Sequence, residues 1–356
     1  VDSNSHVIIG ASACGTGDLA ADGTVAIGVS ALTALTSGDG NVAIGYQAGV
    51  SLVEGNFNTV LGYNAFDAGE EDSACTAIGY EALSAADVSN TGSAVLSYNT
   101  ALGYQSGTAV TTGTKNILLG ARAADTMTTG SNNIVLGYNA TAFGVGESNN
   151  IVIGYEAMGT ADEGSGGTID YNIAIGTNAL LGTDLGSDSI IQEKNVAVGH
   201  YAADAIAGNA QTGIVAVGHQ ALTAVSSGLY NVGVGFQAGK GITTGASNTI
   251  LGYSCMESAL AASTSNVALG TNALGGTHAN NATDYTVAIG HNAMAGAVDA
   301  ASHSVAIGYA ASNVATTGSE NVVIGSGAGA AFTDSAQMVL IGRQAGSSIN
   351  GDGDTL

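Results

Sequence analysis

Asn41-Val42-Ala43-Ile44-Gly45-Tyr46-Gln47-Ala48 is the stretch that decides the fold, because close copies of it return about every 17 residues to the end of the chain. Aligned on the glycine, the copies fall at Gly10, Gly28, Gly45, Gly62, Gly79, Gly103, Gly120, Gly137, Gly154, Gly176, Gly199, Gly218, Gly235, Gly252, Gly270, Gly290, Gly308, Gly325 and Gly342. A short fixed period is the mark of stacked units that bury their apolar surface against one another, not of separate globular domains. The 356 residues therefore read as one elongated domain over 1–356, with coils from residue 6 to residue 346 and a tail at 347–356.

Within a coil, the residue before the glycine is Ile, Leu or Val in all 19 copies, and the residue three before it is Val, Ile or Thr. Apolar and β-branched residues at a spacing of two define one face of a short strand. Stacked in parallel at about 4.8 Å per coil, 19 such strands make a rod on the order of 90 Å long. The expected fold is thus an all-β parallel β-solenoid of about 19 coils of 17 or more residues, with Ile44, Ile78, Ile153 and Ile307 stacked in its interior.

The residue two before the glycine points the other way, and it is Ala in ten coils, Val in four, Ile or Leu in four and Gly in one. A lone solenoid needs only its inward face apolar, so this second apolar face calls for a cover. No stretch of the sequence is left over to supply one. The cover is expected to be further copies of the chain in a closed cyclic oligomer, meeting through Ala43, Val60, Leu118, Val135, Val152, Val323 and Leu340.

Other positions read as structural. Three after the glycine stands Ala in 17 coils, which implies a tight site. Four before it stands Asn in 12, suited to a turn and to a ladder of stacked amides rather than a row of sugar ligands. Tyr follows the glycine in eight coils, as in Tyr46, Tyr63, Tyr80 and Tyr104, and is expected to stack along the rod rather than form a carbohydrate platform. His200, His219 and His291 hold the same place and read as part of that ladder, since two imidazoles one rung apart lack a third metal ligand.

Composition removes several function classes. With 55 Gly, no Pro and no Trp, the chain suits uninterrupted ladders in which every N–H has a strand partner. Five basic residues against 28 acidic ones give a net charge of -23, which repels nucleic acid and suits a soluble extracellular fibre. Cys14, Cys75 and Cys255 are far apart, fit neither a disulfide framework nor a metal site, and read as small apolar fillers. No apolar run reaches the roughly 18 residues of a membrane span. The chain starts at Val1 without Met or signal peptide, and a mature or excised segment is expected.

The coil length slips in places. It is 17 from Gly28 to Gly79 and from Gly103 to Gly154, but 24 between Gly79 and Gly103. Val95-Leu96-Ser97-Tyr98 in that interval imitates a coil core and is assigned to an inserted loop. The intervals to Gly176, Gly199 and Gly218 are 22, 23 and 19, and the extra residues emerge along one edge of the rod, often the binding edge of a solenoid. A ligand-contact patch is expected there, carried by Asp162, Glu163, Asp170, Asp184, Asp188 and Glu193. Acidic runs such as Glu70-Glu71-Asp72 match no calcium loop. No nucleophile elbow, phosphate loop, thiol pair or zinc cluster is present, so neither catalytic residues nor a metal or other cofactor are expected, and the chain reads as a non-enzyme.

Ser304-Val305-Ala306-Ile307-Gly308 and Asn266-Val267-Ala268-Leu269-Gly270 resemble the Ser-Val-Ala-Ile-Gly head repeat of YadA-type trimeric autotransporter adhesins. Gly45-Tyr46-Gln47-Ala48 and Thr129-Gly130-Ser131-Asn132-Asn133 are closer still to repeats of phage and bacterial tail-fibre-like proteins. The coils here are longer than in the YadA-type head, and no heptad stalk accompanies them. The resemblance implies a left-handed β-roll, a homotrimer, and an extracellular place at a virion tail or cell surface. It also implies an attachment fibre, tail fibre or adhesin, that binds a cell-surface receptor or glycan. The competing expectation is a purely structural filament or spacer that binds only its own copies.

Overall fold

The computed structural model describes residues 5–15, 20–87, 95–141, 146–159, 168–182, 191–205, 211–258, 262–276, 282–296, 302–314, 318–330 and 336–347. The chain divides into two compact units, Val1–Ala174 and Ile175–Leu356. Each is a parallel β-solenoid, and the described residues contain no helix. In the first unit, three-residue strands from Val7–Ile9 to Ile151–Ile153 stack in register, as in Val42↔Thr59, Ala43↔Val60 and Ile44↔Leu61. The second repeats this from Val196–Val198 to Val339–Ile341, as in Val287↔Val305, Ala288↔Ala306 and Ile289↔Ile307.

The stacking is held by backbone hydrogen bonds to both neighbours. The Val42 N–H donates to Asn58 O at 2.8 Å, one coil on, and the Gly45 N–H donates to Ile27 O at 2.8 Å, one coil back. Each coil then closes through left-handed residues at recurrent places. Two and four after the glycine, Ser30 and Leu32 have φ of 58° and 50°; five before it, Phe57 has φ of 58°. The glycine itself lies at φ between 129° and 149°, a region closed to other residues. At Gly62 φ is 149° and a Cβ would lie 2.2 Å from Gly79 O, so both conformation and the next coil demand glycine.

From Val25–Ile27 onward the middle residue of each three-residue strand is buried and faces inward, which reverses the expectation. Ile44, Ile78, Ile153 and Ile307 are only partly buried, on the outer side. Ala43, Val60, Leu118, Val135, Val152, Val323 and Leu340, expected between chains, are 0–1% exposed inside their own chain and cannot touch a partner. The reason is the width of the coil. Four after the glycine, a large side chain such as Leu32, Phe66, Leu83, Leu180 or Met256 fills the interior. The walls around it must be short, hence Ala at the strand centre and again three after the glycine. Where that large residue is replaced by Gly239, Ile242 fills the space, and Leu222 and Ile250 of the adjacent coils close in so that a Cβ on Gly239 would meet them at 2.6 and 2.7 Å. Complementary sizes on adjacent rungs keep the core at solid density.

The Asn row is the polar seam of this interior. The Asn116 N–H and Nδ2 both donate to Asn99 Oδ1, at 3.0 and 3.1 Å, and Nδ2 also donates to Gly130 O at 2.9 Å. Its own Oδ1 accepts from the N–H and Nδ2 of Asn133, at 3.0 and 3.2 Å. Asn116 and its stacked neighbours are buried, so their amides serve the ladder as the sequence implied. A second seam lies two residues earlier, where the Thr114 N–H donates to Ser131 Oγ and the Ser131 N–H to Ser148 Oγ, at 2.9 and 3.0 Å.

Val95-Leu96-Ser97-Tyr98 is part of a coil and not an inserted loop. Val95–Leu96 pairs in parallel with Asp72–Ser73, and Ser97 Oγ donates to the buried Asp72 carboxylate. In the second unit Ile191–Glu193 pairs likewise with Gln211–Thr212.

The coil glycine gives a direct test. Gly62→Ala should destabilise by about 3 kcal/mol or more, since strain and a backbone clash coincide. Gly23→Ala, at φ 66° with nothing within 4 Å, should cost only about 1 kcal/mol. Thermal unfolding followed by circular dichroism compares the two, and equal losses would refute this account of the glycine.

Candidate functional site

The residue after the glycine is exposed, as at Tyr46, Tyr63, Tyr80 and Tyr104, and by strand alternation it shares the outer side with the strand's two flanking residues. In each unit the outer face of the sheet is therefore three parallel rows: Val, Ile or Thr, then Ile, Leu or Val, then a mostly aromatic row. Leu61, Leu102 and Leu251 on the middle row are 43%, 47% and 51% exposed. Apolar side chains open to water in rows are the feature of this molecule that packing within one chain does not explain.

The aromatic row stacks in runs over consecutive rungs. In the first unit Tyr46, Tyr63, Tyr80 and Tyr104 stack with ring centroids 4.8, 5.6 and 5.2 Å apart, and Tyr138 lies 5.8 Å from Tyr155. In the second unit His200, His219, Phe236 and Tyr253 continue the pattern at 5.4, 5.1 and 5.3 Å, and His291 stacks on Tyr309 at 5.5 Å. Each ring covers the face of the next, so the row offers ring edges to solvent. A sugar that stacks on an open aromatic face finds none within the run. The stacking expected from sequence is what the rings do.

Charge stays at the margin of this face. Glu81 and Glu156 flank it, and their hydrogen bonds push the phenols of Tyr80 and Tyr155 above the ordinary tyrosine range. On the aromatic row itself the charged residue is Arg343. Arg122, beside the row, is tied to Asp125 at 2.6 Å, and that partner raises its guanidinium further.

The acidic patch expected from sequence divides. Asp162, Glu163, Asp184 and Asp188 lie outside the described residues. Asp170 in the first unit accepts from the Ser148 N–H at 2.6 Å as a member of the second polar seam. Glu193 in the second unit pairs with Lys194 at 2.7 Å. These two carboxylates have structural partners, and the sequence signal that could have shown it is their place six before the coil glycine, the seam position. Among the described residues no group of three or more His, Cys, Asp or Glu side chains could hold a metal ion. No helix among them is long and apolar enough to cross a membrane.

The outer rows were missed as a site although the sequence carried a signal. Thr177, Thr271, Ser326 and Arg343 occupy the aromatic row in some coils, and polar substitutes mark an outward position. Compared with known proteins, the chain matches no family model, and no curated protein or solved structure shows significant similarity to it.

The three thiols behave as fillers. Cys14, Cys75 and Cys255 are buried and unpaired, and burial pushes them up to about 11, about 12 and about 12. Iodoacetamide at about pH 8 should leave all three unmodified in the folded chain and label all three in guanidinium, because only the thiolate reacts. Rapid labelling of the native protein, read by mass spectrometry, would contradict their enclosure.

Proposed function

We propose that this chain is the rod of a non-enzymatic extracellular attachment fibre, a tail fibre or surface adhesin, assembled as a homotrimer. The observation that carries the reading is the outer face: an apolar row beside runs of stacked aromatic rings on a molecule of net charge -23. Such a molecule repels its own copies everywhere except where charge is absent. Copies that meet there cover the rows with matching rows, because both carry the same rung spacing. If each rung contributes on the order of 100 Å² of apolar surface, about eight rungs supply the ~800 Å² per partner of a stable interface.

Three copies close such a face into a ring without leaving one uncovered, and the repeat resemblance favours that number. Attachment is then the task of what faces away from the contact, including the edge where coil length changes. The alternative, a filament or spacer without a ligand, draws on the uniformity of the ladders.

Sedimentation equilibrium of the chain tests assembly, with a trimer expected. Leu102→Asp should shift it to monomer by placing a carboxylate in the contact, while the circular dichroism of the coil stays unchanged. A stable wild-type monomer would sink the assembly. For attachment, replacing Asp162, Glu163, Asp184 and Asp188 by Ser should abolish binding of the fibre to cells or immobilised glycans. Unchanged binding would remove the acidic patch, and a wild-type chain that binds no cell type would favour the spacer.

A further inference from the structure

The aromatic row differs in chemistry between the two units. In the first its rings are phenols, six tyrosines among smaller apolar residues, which carry no charge in the physiological range. In the second, His200, His219 and His291 take the same outward position and are exposed. We infer that these three histidines make assembly through the second unit acid-sensitive, so that the fibre's copies part there when the imidazoles gain protons. This rests on the reading that copies of the chain meet through the outer face.

His200 and His219 stand on adjacent rungs with ring centroids 5.4 Å apart, nearly parallel. His200 also meets Tyr201 edge-on at 4.0 Å, and His219 lies on Phe236 at 5.1 Å. His291 lies on Tyr309 at 5.5 Å. The neighbouring places in the row are Thr177 before His200 and Thr271 before His291, and the places beside it are Asn178, Gln220, Gln237, Asn272, Asn292 and Ala310. None of these can neutralise an imidazolium. Among the described residues the carboxylate beside His200 is the half-buried Asp204, whose carboxyl is raised chiefly by burial and drawn down by the Thr223 hydroxyl and by His200. One carboxylate can balance one of three positive charges.

The direction follows from solvation. A side chain on a free face keeps its water; an imidazole covered by a second copy loses it, and that loss disfavours the charged form. Protons thus bind the separated copies better than the assembled ones. Assembly is complete where the imidazoles are neutral and weakens as the pH falls through their range. His200 and His219 add like-charge repulsion across one rung, so the effect is larger than that of one buried histidine.

The test is sedimentation equilibrium of the whole chain at about pH 7.5 and about pH 5.5, on either side of the imidazole range, with the triple variant H200Q/H219Q/H291Q beside the wild type. Acid should raise the wild-type dissociation constant at least tenfold, and that of the variant less than threefold. H200Y/H219Y/H291Y, which copies the first unit's own row, serves as a second variant if the glutamines disturb folding. A wild type that is monomeric at the higher pH loses the assembly itself. A wild type that stays assembled equally at both values, or weakens no more than either variant, overturns the histidine device while leaving the assembly intact.

Discussion

The contact on which everything else depends is the approach of one coil glycine to the carbonyl of the next. A Cβ placed on these glycines would meet the following coil's backbone at 2.1 Å for Gly28 and 2.2 Å for Gly45. That closeness leaves no slack for a register slip. It forces every position of one coil onto the same position of its neighbours, and each residue type becomes a row. A row of β-branched residues is a sheet, a row of Asn is a hydrogen-bond ladder, and a row of Tyr is a stack. The same residues out of register would leave buried amides without partners, at about 1–3 kcal/mol each.

In-register rows explain why polar residues can sit in so narrow an interior. A single buried Asn has four hydrogen-bonding sites to satisfy. In the stack, the amides of Asn116 and Asn133 each find partners in the coils before and after. Where Asn gives way to Cys75, the Cys75 N–H still donates to Asn58 Oδ1 at 2.9 Å, while its thiol cannot extend the amide chain. The ladder tolerates such gaps because the backbone bonds on either side persist.

The period, the parallel register, the Asn ladder and the Tyr stack were legible in the sequence, since each is a row and rows survive without coordinates. Which side of the strand lay inside was not. Period two separates Ala43 from Val42 and Ile44 without saying which faces the core, and hydrophobicity favoured the larger residues. The deciding quantity was volume. Leu32 or Phe66, four after the glycine, already fills the coil, and a second large residue opposite would overpack it. Val95–Leu96 was misplaced for a related reason: it belongs to a second short sheet with Asp72–Ser73, a pairing no repeated motif announced. The acidic loops have no counterpart in other coils, so repetition says nothing of them.

The reversal of faces strengthens the case for assembly instead of removing it. Alanines and valines at the strand centre would have offered a thin, featureless contact. The rows that do face out are larger and aromatic, and they carry more apolar surface per rung than the set first expected. They also leave the surrounding charge in place, because Glu81 and Glu156 lie beside the rows rather than in them. A chain of net charge -23 that kept this face wet would gain solubility from charge while exposing the surface most apt to recruit strangers. Pairing the face with its own copies resolves that conflict, since the rung spacing that makes each row continuous is also the spacing on which a second copy can lie.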